Sequence, residues 1–453
     1  MYLSSIASIA GKDASFWLNS NQYGLYASDK SSSLNIFELQ NTMYHNQFEI
    51  NSTVTPVLRF GNGTEAFFHE FYIEANYKNL RLFLGKKEWR DGFAITDLGF
   101  GSMIWSSNAA TIPKITAEVK DWTQVPFTAG LFSYRGYYSH GWFEKDRFVE
   151  SSYLHEKALY LYLGKDNWPI RFEGAVIHNV MWGGTHPEFG DLPDNFDDYI
   201  SIVTFQKGSP DEDNPEPVSF QGSTVGAFDF GILYLLSNSR IQLSKQFYLE
   251  SRTSTYFRSE ADGLWRLEWK SNDRSRTGVL DFSYEVFNTF QQDARRQRGE
   301  TRGSDQTYSN FIYRQGWTYQ NKIIGVPLVQ TTVINDLLFI TNNIFFAHNL
   351  GIRFRPSFLP ADTFNYFEGK FTYSRSYGRT TNCPNNFCTS GLERSFRTDR
   401  KDQYSMYFSA NFPFGKDFLF TTAAALDTGE LYKSVGFRIG ITYNFKAKKN
   451  YEY

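Results

Sequence analysis

The stretch Val435-Gly436-Phe437-Arg438-Ile439-Gly440-Ile441-Thr442-Tyr443-Asn444-Phe445 decides the fold class. Its odd-numbered positions are all apolar or aromatic, and its even-numbered positions are Gly, Arg, Gly, Thr and Asn. A strand sends successive side chains to opposite faces, so this segment has one apolar face and one small or polar face. That pattern suits a strand with lipid on one side and a wet lumen on the other. An aromatic residue closes it and a short charged tail, 446–453, follows. A bacterial outer-membrane β-barrel ends in this way.

Composition points the same way. The 453 residues include 44 Phe, 29 Tyr and 10 Trp, yet the mean hydropathy is -0.45. A helical membrane protein needs ~20 consecutive apolar residues per span, and no such run occurs. The longest apolar runs, Gly231–Leu236 and Leu337–Ile340, are strand-sized. A barrel escapes the conflict because only alternate residues meet lipid and aromatic girdles mark both interfaces. A soluble, aromatic-rich β-sandwich shares this composition. With a net charge of -2, nothing suggests nucleic acid, which would need a basic face.

Sixteen strand candidates follow one another from 45–60 to 433–445, and two more fit within 15–44 or 308–341. The expected architecture is all-β: a transmembrane antiparallel barrel of 16–18 strands with long extracellular loops and short periplasmic turns. Short turns fall at Lys78-Asn79, Asp121–Gln124, Lys165–Asn167, Ser237–Ser239, Ser271–Arg276, Pro360–Asp362 and Gly415-Lys416, with the residues turns favour. Long connections occupy 88–111, 139–156, 183–225, 291–344 and 377–400. With a periplasmic C-terminus, parity puts every tight turn in the periplasm and every long loop outside. The expected organisation is an N-terminal lead-in over 1–33, a barrel over 34–445 and a periplasmic tail over 446–453. Met1–Ala7 has neither a basic start nor a long apolar core, so an export leader is expected to be missing from this chain.

The segment 194–205 starts with acids that suit a helix N-terminus, while its β-branched run Ile200–Thr204 equally fits a strand. Cys383 and Cys388 flank the turn-prone Pro-Asn-Asn. A disulfide-closed loop tip fits an oxidising compartment; free thiols are the alternative, and zinc lacks further ligands nearby.

Several words resemble the capsule assembly Wzi family, in the form common among Bacteroidota. They are Ser15–Gly24, Ser107–Ile115, Ser139–Phe143, Leu154–Tyr160, Trp182–Thr185, Asp262–Trp265, Gln315–Tyr319 with Ile324–Pro327, Ala347–Gly351 and Tyr373–Gly378. The resemblance spans about residues 15 to 380. It implies an outer-membrane barrel of about eighteen strands that holds capsular or other surface polysaccharide. It brings no catalytic motif. The helical periplasmic segment of the enterobacterial members has no counterpart in residues 1–14.

Glycan binding needs aromatic faces for sugar C–H surfaces and planar polar groups for hydroxyls. The candidates are Tyr138, His140, Trp142, Trp182, His186, Tyr313, Trp317 and Tyr319, with Tyr137 and Tyr308 beside them. Aromatic residues near strand ends equally serve as girdle or loop packing. Arg295, Arg296, Arg298 and Arg302 form a basic run that would meet an anionic ligand, or simply a solvated loop. Glu188, Asp191, Asp194, Asp197 and Asp198 offer oxygen ligands for calcium, but their spacing matches no calcium loop. No Ser-His-Asp or metal-ligand word appears, and no carboxylate pair stands out, so neither catalysis nor a cofactor is expected. Expected partners are outer-membrane lipid, surface polysaccharide and other outer-membrane proteins. A capsule-retaining lectin, a subunit of a larger assembly and a porin or transporter are the three functions in play.

Overall fold

The computed structural model describes residues 1–11, 14–26, 31–61, 63–206, 221–257, 259–292, 305–334, 337–358, 366–378, 400–415 and 417–445. Cys383, Cys388, Arg295, Arg296, Arg298 and Arg302 lie outside them. Eighteen strands form one antiparallel sheet. They are β1 (Tyr2–Ala10), β2 (Ser32–His45), β3 (Phe48–Phe60), β4 (Thr64–Tyr77), β5 (Leu80–Lys86), β6 (Pro113–Gln124), β7 (Phe132–Trp142), β8 (Tyr153–Leu163) and β9 (Ile170–Trp182). The rest are β10 (Ser223–Leu235), β11 (Ser239–Leu249), β12 (Gly263–Ser271), β13 (Gly278–Asn288), β14 (Phe345–Arg355), β15 (Tyr366–Ser376), β16 (Lys401–Phe414), β17 (Phe418–Gly429) and β18 (Ser434–Asn444).

Each strand pairs with the next, and β1 closes the barrel on β18 from Tyr2↔Asn444 to Ala10↔Gly436. Closure leaves no free edge along that seam, which is how a sheet survives in lipid. In β18, Val435, Phe437, Ile439 and Ile441 are 48%, 54%, 55% and 47% exposed on the outer face. Gly436, Arg438 and Gly440 are buried on the lumen side. Among the described residues no helix is long and apolar enough to cross a membrane.

Two expectations about the barrel are corrected. Tyr2–Ala10 is a barrel strand, not part of a lead-in over 1–33; it pairs with both β2 and β18. β6 continues through Asp121–Gln124, with a register shift against β7 between Val119 and Thr123, and its turn to β7 is built from 125–131 instead. In the region 308–341, the hairpin Gln330–Ile334 with Leu337–Asn342 stays apart from the barrel sheet.

The lumen is filled. The connection from β5 to β6 and residues 305–329 pack into one apolar cluster with lumen-facing wall residues. Trp317 is fully buried, donates through Nε1 to the Ile104 carbonyl at 2.7 Å and meets Trp105 edge-on at 5.9 Å. Ser106 Oγ donates to the Gly325 carbonyl at 2.8 Å, and Asn108 Nδ2 to that of Ile323 at 2.8 Å. The two segments therefore form one plug. Helix α1 (Phe16–Asn19) joins them: Trp17 stacks on Phe100 at 6.0 Å and donates to Thr372 Oγ1 of β15.

Charged and polar wall residues hold the plug by its backbone and by one of its side chains. Glu268 accepts the Ile95 and Thr96 amides at 2.8 and 3.0 Å, and Gln246 Oε1 accepts that of Met103 at 2.8 Å. Arg353 pairs with Asp97 of the plug at 2.9 Å while also reaching Asp281 and Glu368 on the wall. Buried loop backbone must find such partners, because no water serves it there. Of the long connections 183–225 and 291–344, the second contributes residues 305–329 to the plug, but the main plug is the β5–β6 connection.

The described residues of the first go elsewhere. Its residues Phe196–Val203 form helix α2, capped reciprocally by Asn195 and Asp198. On β9, Ala175, Ile177 and Met181 join the central cluster, so Val180 and Trp182 point outward. Tyr199 and Ile202 of α2 cover those outward residues. The helix lies against the outer wall of the barrel, not over its mouth.

Candidate functional site

A cleft of about 520 Å³ opens beside the plug, at the rim that carries the long loops. It lies where the β3–β4 connection is only 61–63. Its walls come from several separate segments. Tyr23 and Tyr26 come from the β1–β2 connection, Arg59 and Phe67 from the facing ends of β3 and β4, Glu144 and Asp146 from the β7–β8 connection, and Gln315 and Gln320–Lys322 from the plug.

Each group is held by named partners. Arg59 donates through Nη1 to the carbonyls of Gly24 and Leu25 at 3.2 and 3.1 Å, pairs with Glu65 at 2.5 Å and lies 5.2 Å over the Phe67 ring. Tyr23 Oη accepts from Arg90 Nε at 3.0 Å, and its ring meets His69 edge-on at 5.9 Å. His69 Nε2 sits 2.9 Å from Glu88. Glu144 accepts Arg147 Nη1 at 3.0 Å and the Gln320 amide at 3.2 Å. Lys322 Nζ donates to Asn19 Oδ1 at 2.7 Å. Tyr26 lies 3.5 Å beneath the Arg438 guanidinium.

Burial shifts the titration of several of these groups, Tyr26, Tyr23 and Lys322 among them. It pushes the Tyr23 phenol up to about 12, so the phenol remains a neutral donor–acceptor at neutral pH. It pulls the Lys322 ammonium down to about 7, with Arg59 and Arg438 adding repulsion. The cleft thus combines aromatic faces, planar amides, a guanidinium and carboxylates. Such a set can stack on a sugar ring and exchange hydrogen bonds with its hydroxyls.

Most of the residues expected to bind glycan lie elsewhere. Tyr313, Trp317 and Tyr319 are buried in the plug, with Tyr313 Oη on the Gly183 carbonyl at 3.2 Å. Tyr137 and Tyr308 are buried too; Tyr137 Oη donates to Asp91 at 2.9 Å and Tyr308 Oη to the Met103 carbonyl. His186 is buried in the small hairpin Thr185–His186 with Gly190–Asp191, where Nδ1 accepts the Glu188 and Phe189 amides at 3.0 and 3.2 Å. These rings have no free face for a sugar.

Tyr138, His140 and Trp142 lie on the outer face of β7, since Tyr137, Ser139 and Gly141 are the buried alternates. Tyr138 Oη meets Tyr199 Oη at 2.5 Å, and His140 meets Trp142 edge-on at 5.1 Å. Trp182 is buried under α2. The acidic cluster is dispersed: Asp198 caps α2, Asp191 accepts Thr185 Oγ1 at 2.8 Å, and Glu188 pairs with Arg314 at 3.0 Å. The cleft residues Tyr26, Arg59 and Lys322 escaped sequence reading. Tyr23 lay within one of the family-like words, and Lys322 lies three residues after the candidate Tyr319.

No family model matches the chain, and no curated protein matches it. Its fold is similar to solved outer-membrane barrels. One is Wzi of Escherichia coli, described as an outer-membrane protein involved in group 1 capsule assembly and a carbohydrate-binding β-barrel. It matches at TM-score 0.57 with 12% identity, over 98% of this chain and 85% of that one. OccK10 of Pseudomonas aeruginosa matches at 0.46 with 9% identity over 99% and 98%, and OprD of the same organism at 0.44 with 8% identity over 98% and 94%. The chain is a closed, eighteen-stranded antiparallel barrel of the outer-membrane type.

Proposed function

We propose that this barrel binds a surface polysaccharide in the rim cleft and retains it at the cell surface, acting as a binding protein without catalysis. The cleft carries the reading: it places aromatic rings, amides and charged groups around one open volume on the loop side. The filled lumen favours it over a wide aqueous channel. The likeness to a carbohydrate-binding barrel supports the same direction at the level of fold.

The test is binding of cell-surface polysaccharide to the purified barrel, with Tyr23→Ala and Arg59→Ala compared with the parent chain. The expected loss is at least tenfold in affinity, about 1.4 kcal/mol, with the barrel still folded. Unchanged binding by both variants would remove the cleft from the reading.

A second reading, a subunit of a larger outer-membrane assembly, is favoured by one observation. Helix α2 covers the outer wall yet leaves Phe196 and Ile200 exposed. Mild-detergent purification separates the two readings: bound polysaccharide supports the first, and a fixed stoichiometry of other outer-membrane proteins supports the second.

A further inference from the structure

β5 is short for its place in the wall. A tilted transmembrane strand needs about 9–11 residues, and Leu80–Lys86 has 7. Its ladders end at Lys86↔Phe71 on one side and Lys86↔Pro113 on the other. Beyond Lys86 the chain turns into the lumen as the plug and rejoins the wall only at Pro113. β4 continues upward past Phe71 to Thr64. Its residues 64–70 therefore have β3 on one side and, among the described residues, no strand on the other. The wall has a notch on the loop side, floored by Lys86 and Pro113, with β4 along one flank.

The notch and the rim cleft are one opening. In β4, Phe67 faces the lumen opposite the buried Val57, whereas Phe68 faces outward, 53% exposed, with its ring 5.8 Å from that of Phe71. In β5, the buried Phe83 marks the lumen face, so Leu82, Leu84 and Lys86 face outward. Yet Phe68 and Lys86 line the same cleft as Tyr23, Arg59 and Lys322. A cavity lined from both faces of the wall passes through it. An open sheet edge survives at membrane depth only where it lines a wet cavity, and the cleft supplies one here. Outside the notch the surface is apolar: Leu58 and Phe71 are 44% and 58% exposed. The Lys86 ammonium, half-buried at the floor, has no hydrogen-bond or ion-pair partner among the described residues.

We propose that the glycan held in the cleft is carried on a lipid: the saccharide lies among the polar groups of the cleft, and its anchor passes sideways through the notch into the outer leaflet. The apolar band of such a barrel is about 25 Å tall, and a strand as short as β5 ends inside it. The floor of the notch therefore lies at the depth of the upper acyl chains. Lys86 would meet the anionic linkage between sugar and lipid, since an outward lysine at that depth reaches for the headgroup level. Leu58, Phe68 and Phe71 would meet the acyl chains. The inference rests on the polysaccharide reading of the cleft and adds what the glycan is attached to.

The experiment uses the full chain in the outer membrane of intact cells. A photoreactive phenylalanine analogue replaces Phe68 at the notch and, in a second strain, Leu243, which is 45% exposed on the outer face of β11. Adducts are analysed by mass spectrometry for fatty acid and for sugar. The expected result is an adduct that carries both, several-fold more abundant at Phe68 than at Leu243. Lys86→Gln should cut its yield several-fold. An adduct with fatty acid but no sugar, with sugar but no fatty acid, or with another protein would overturn the proposal. So would equal yields at the two positions. Lipid-free polysaccharide tells this failure from failure of the cleft reading. If the purified barrel binds it in a manner lost in Tyr23→Ala, yet Phe68 gives no glycolipid adduct, the cleft remains a polysaccharide site and only the lipid anchor is refuted.

Discussion

The carboxylate of Glu285, on the barrel wall, accepts the backbone amide of Phe100, in the plug, at 2.6 Å. The same carboxylate takes Arg266 Nε at 2.8 Å, and both side chains of that pair are 1% exposed. Arg266 in turn donates to the Gly101 carbonyl at 2.6 Å. One ion pair therefore fixes a donor and an acceptor of consecutive plug residues to the wall.

Removing one member of such a pair strands the other without water. Glu285→Ala should destabilise the fold by about 3–5 kcal/mol, the usual cost of an uncompensated buried charge. Glu285→Gln keeps an acceptor for the amide and should cost less. Heat-modifiable mobility in detergent measures both, and equal mobility of Glu285→Ala and the parent would refute the anchoring role.

Because the plug crosses the lumen, the purified chain should show no steady large conductance in planar bilayers. Replacing residues 93–103 by a short Gly-Ser linker should open one. Those residues carry the contacts to Glu268, Glu285 and Gln246 on the wall. A large steady conductance from the parent chain would count against the closed lumen and favour a porin.

The strands were legible where their two faces met different solvents, as in β18. β1 hid because its alternation is weak: Ser5 and Ala7 face outward while Ile6 packs inward near Leu34. The β6–β7 turn hid because Phe127 and Ala129 adopt positive φ of 65° and 50°. Neither residue type advertises a left-handed conformation, whereas Asp121–Gln124 offered turn-like polarity in a strand.

The candidate site was less legible, for a different reason. Aromatic residues were read as sugar platforms from their place in loops, but plug burial claimed Trp317, Tyr313 and Tyr319. The cleft brings Tyr23, Arg59, Glu144 and Lys322 together from four distant segments. No local pattern encodes that meeting; it follows from how the plug seats against the wall.

Asp91 gives a pH signature. It accepts from Tyr137 Oη at 2.9 Å and Trp89 Nε1 at 3.1 Å, and burial, aided by the nearby Glu156 charge, raises it to about 6. A folded value above the ordinary 3.8 means the native state binds more protons between those limits. The stability it contributes is present below pH 4 and lost as pH rises through 6, by at most about 3 kcal/mol. Asp91→Asn should flatten that part of the profile. Urea unfolding from pH 4 to 7 tests this; parallel profiles for the two chains would contradict it.

The reciprocal cap of α2 should hold the helix on the outer wall. Asn195→Ala removes the acceptor of the Asp198 amide at 3.0 Å and should cost about 1 kcal/mol. Protease cleavage near Phe196 should speed up, and Trp182 fluorescence should shift red as its cover loosens. The barrel itself should keep its heat resistance, because α2 lies outside it. No change in cleavage rate would show that the cap is not what secures the helix.

The last prediction separates the two sets of glycan candidates. Trp317→Ala should empty a fully buried volume at the centre of the plug, at a cost of about 3–5 kcal/mol, and any loss of polysaccharide should track that destabilisation. Trp142→Ala, on the outer face of β7, should leave binding unchanged. Tyr23→Ala and Arg59→Ala should release polysaccharide from a barrel of nearly parental heat resistance, because both line an open cleft. Lys322→Met, which keeps the buried stem but not the amine, should change binding most below pH 7, where the parental lysine is charged. Cell-associated polysaccharide and thermal stability, measured on the same variants, decide the matter. Release by Trp142→Ala alone, with the cleft variants still loaded, would return the binding face to the outer wall.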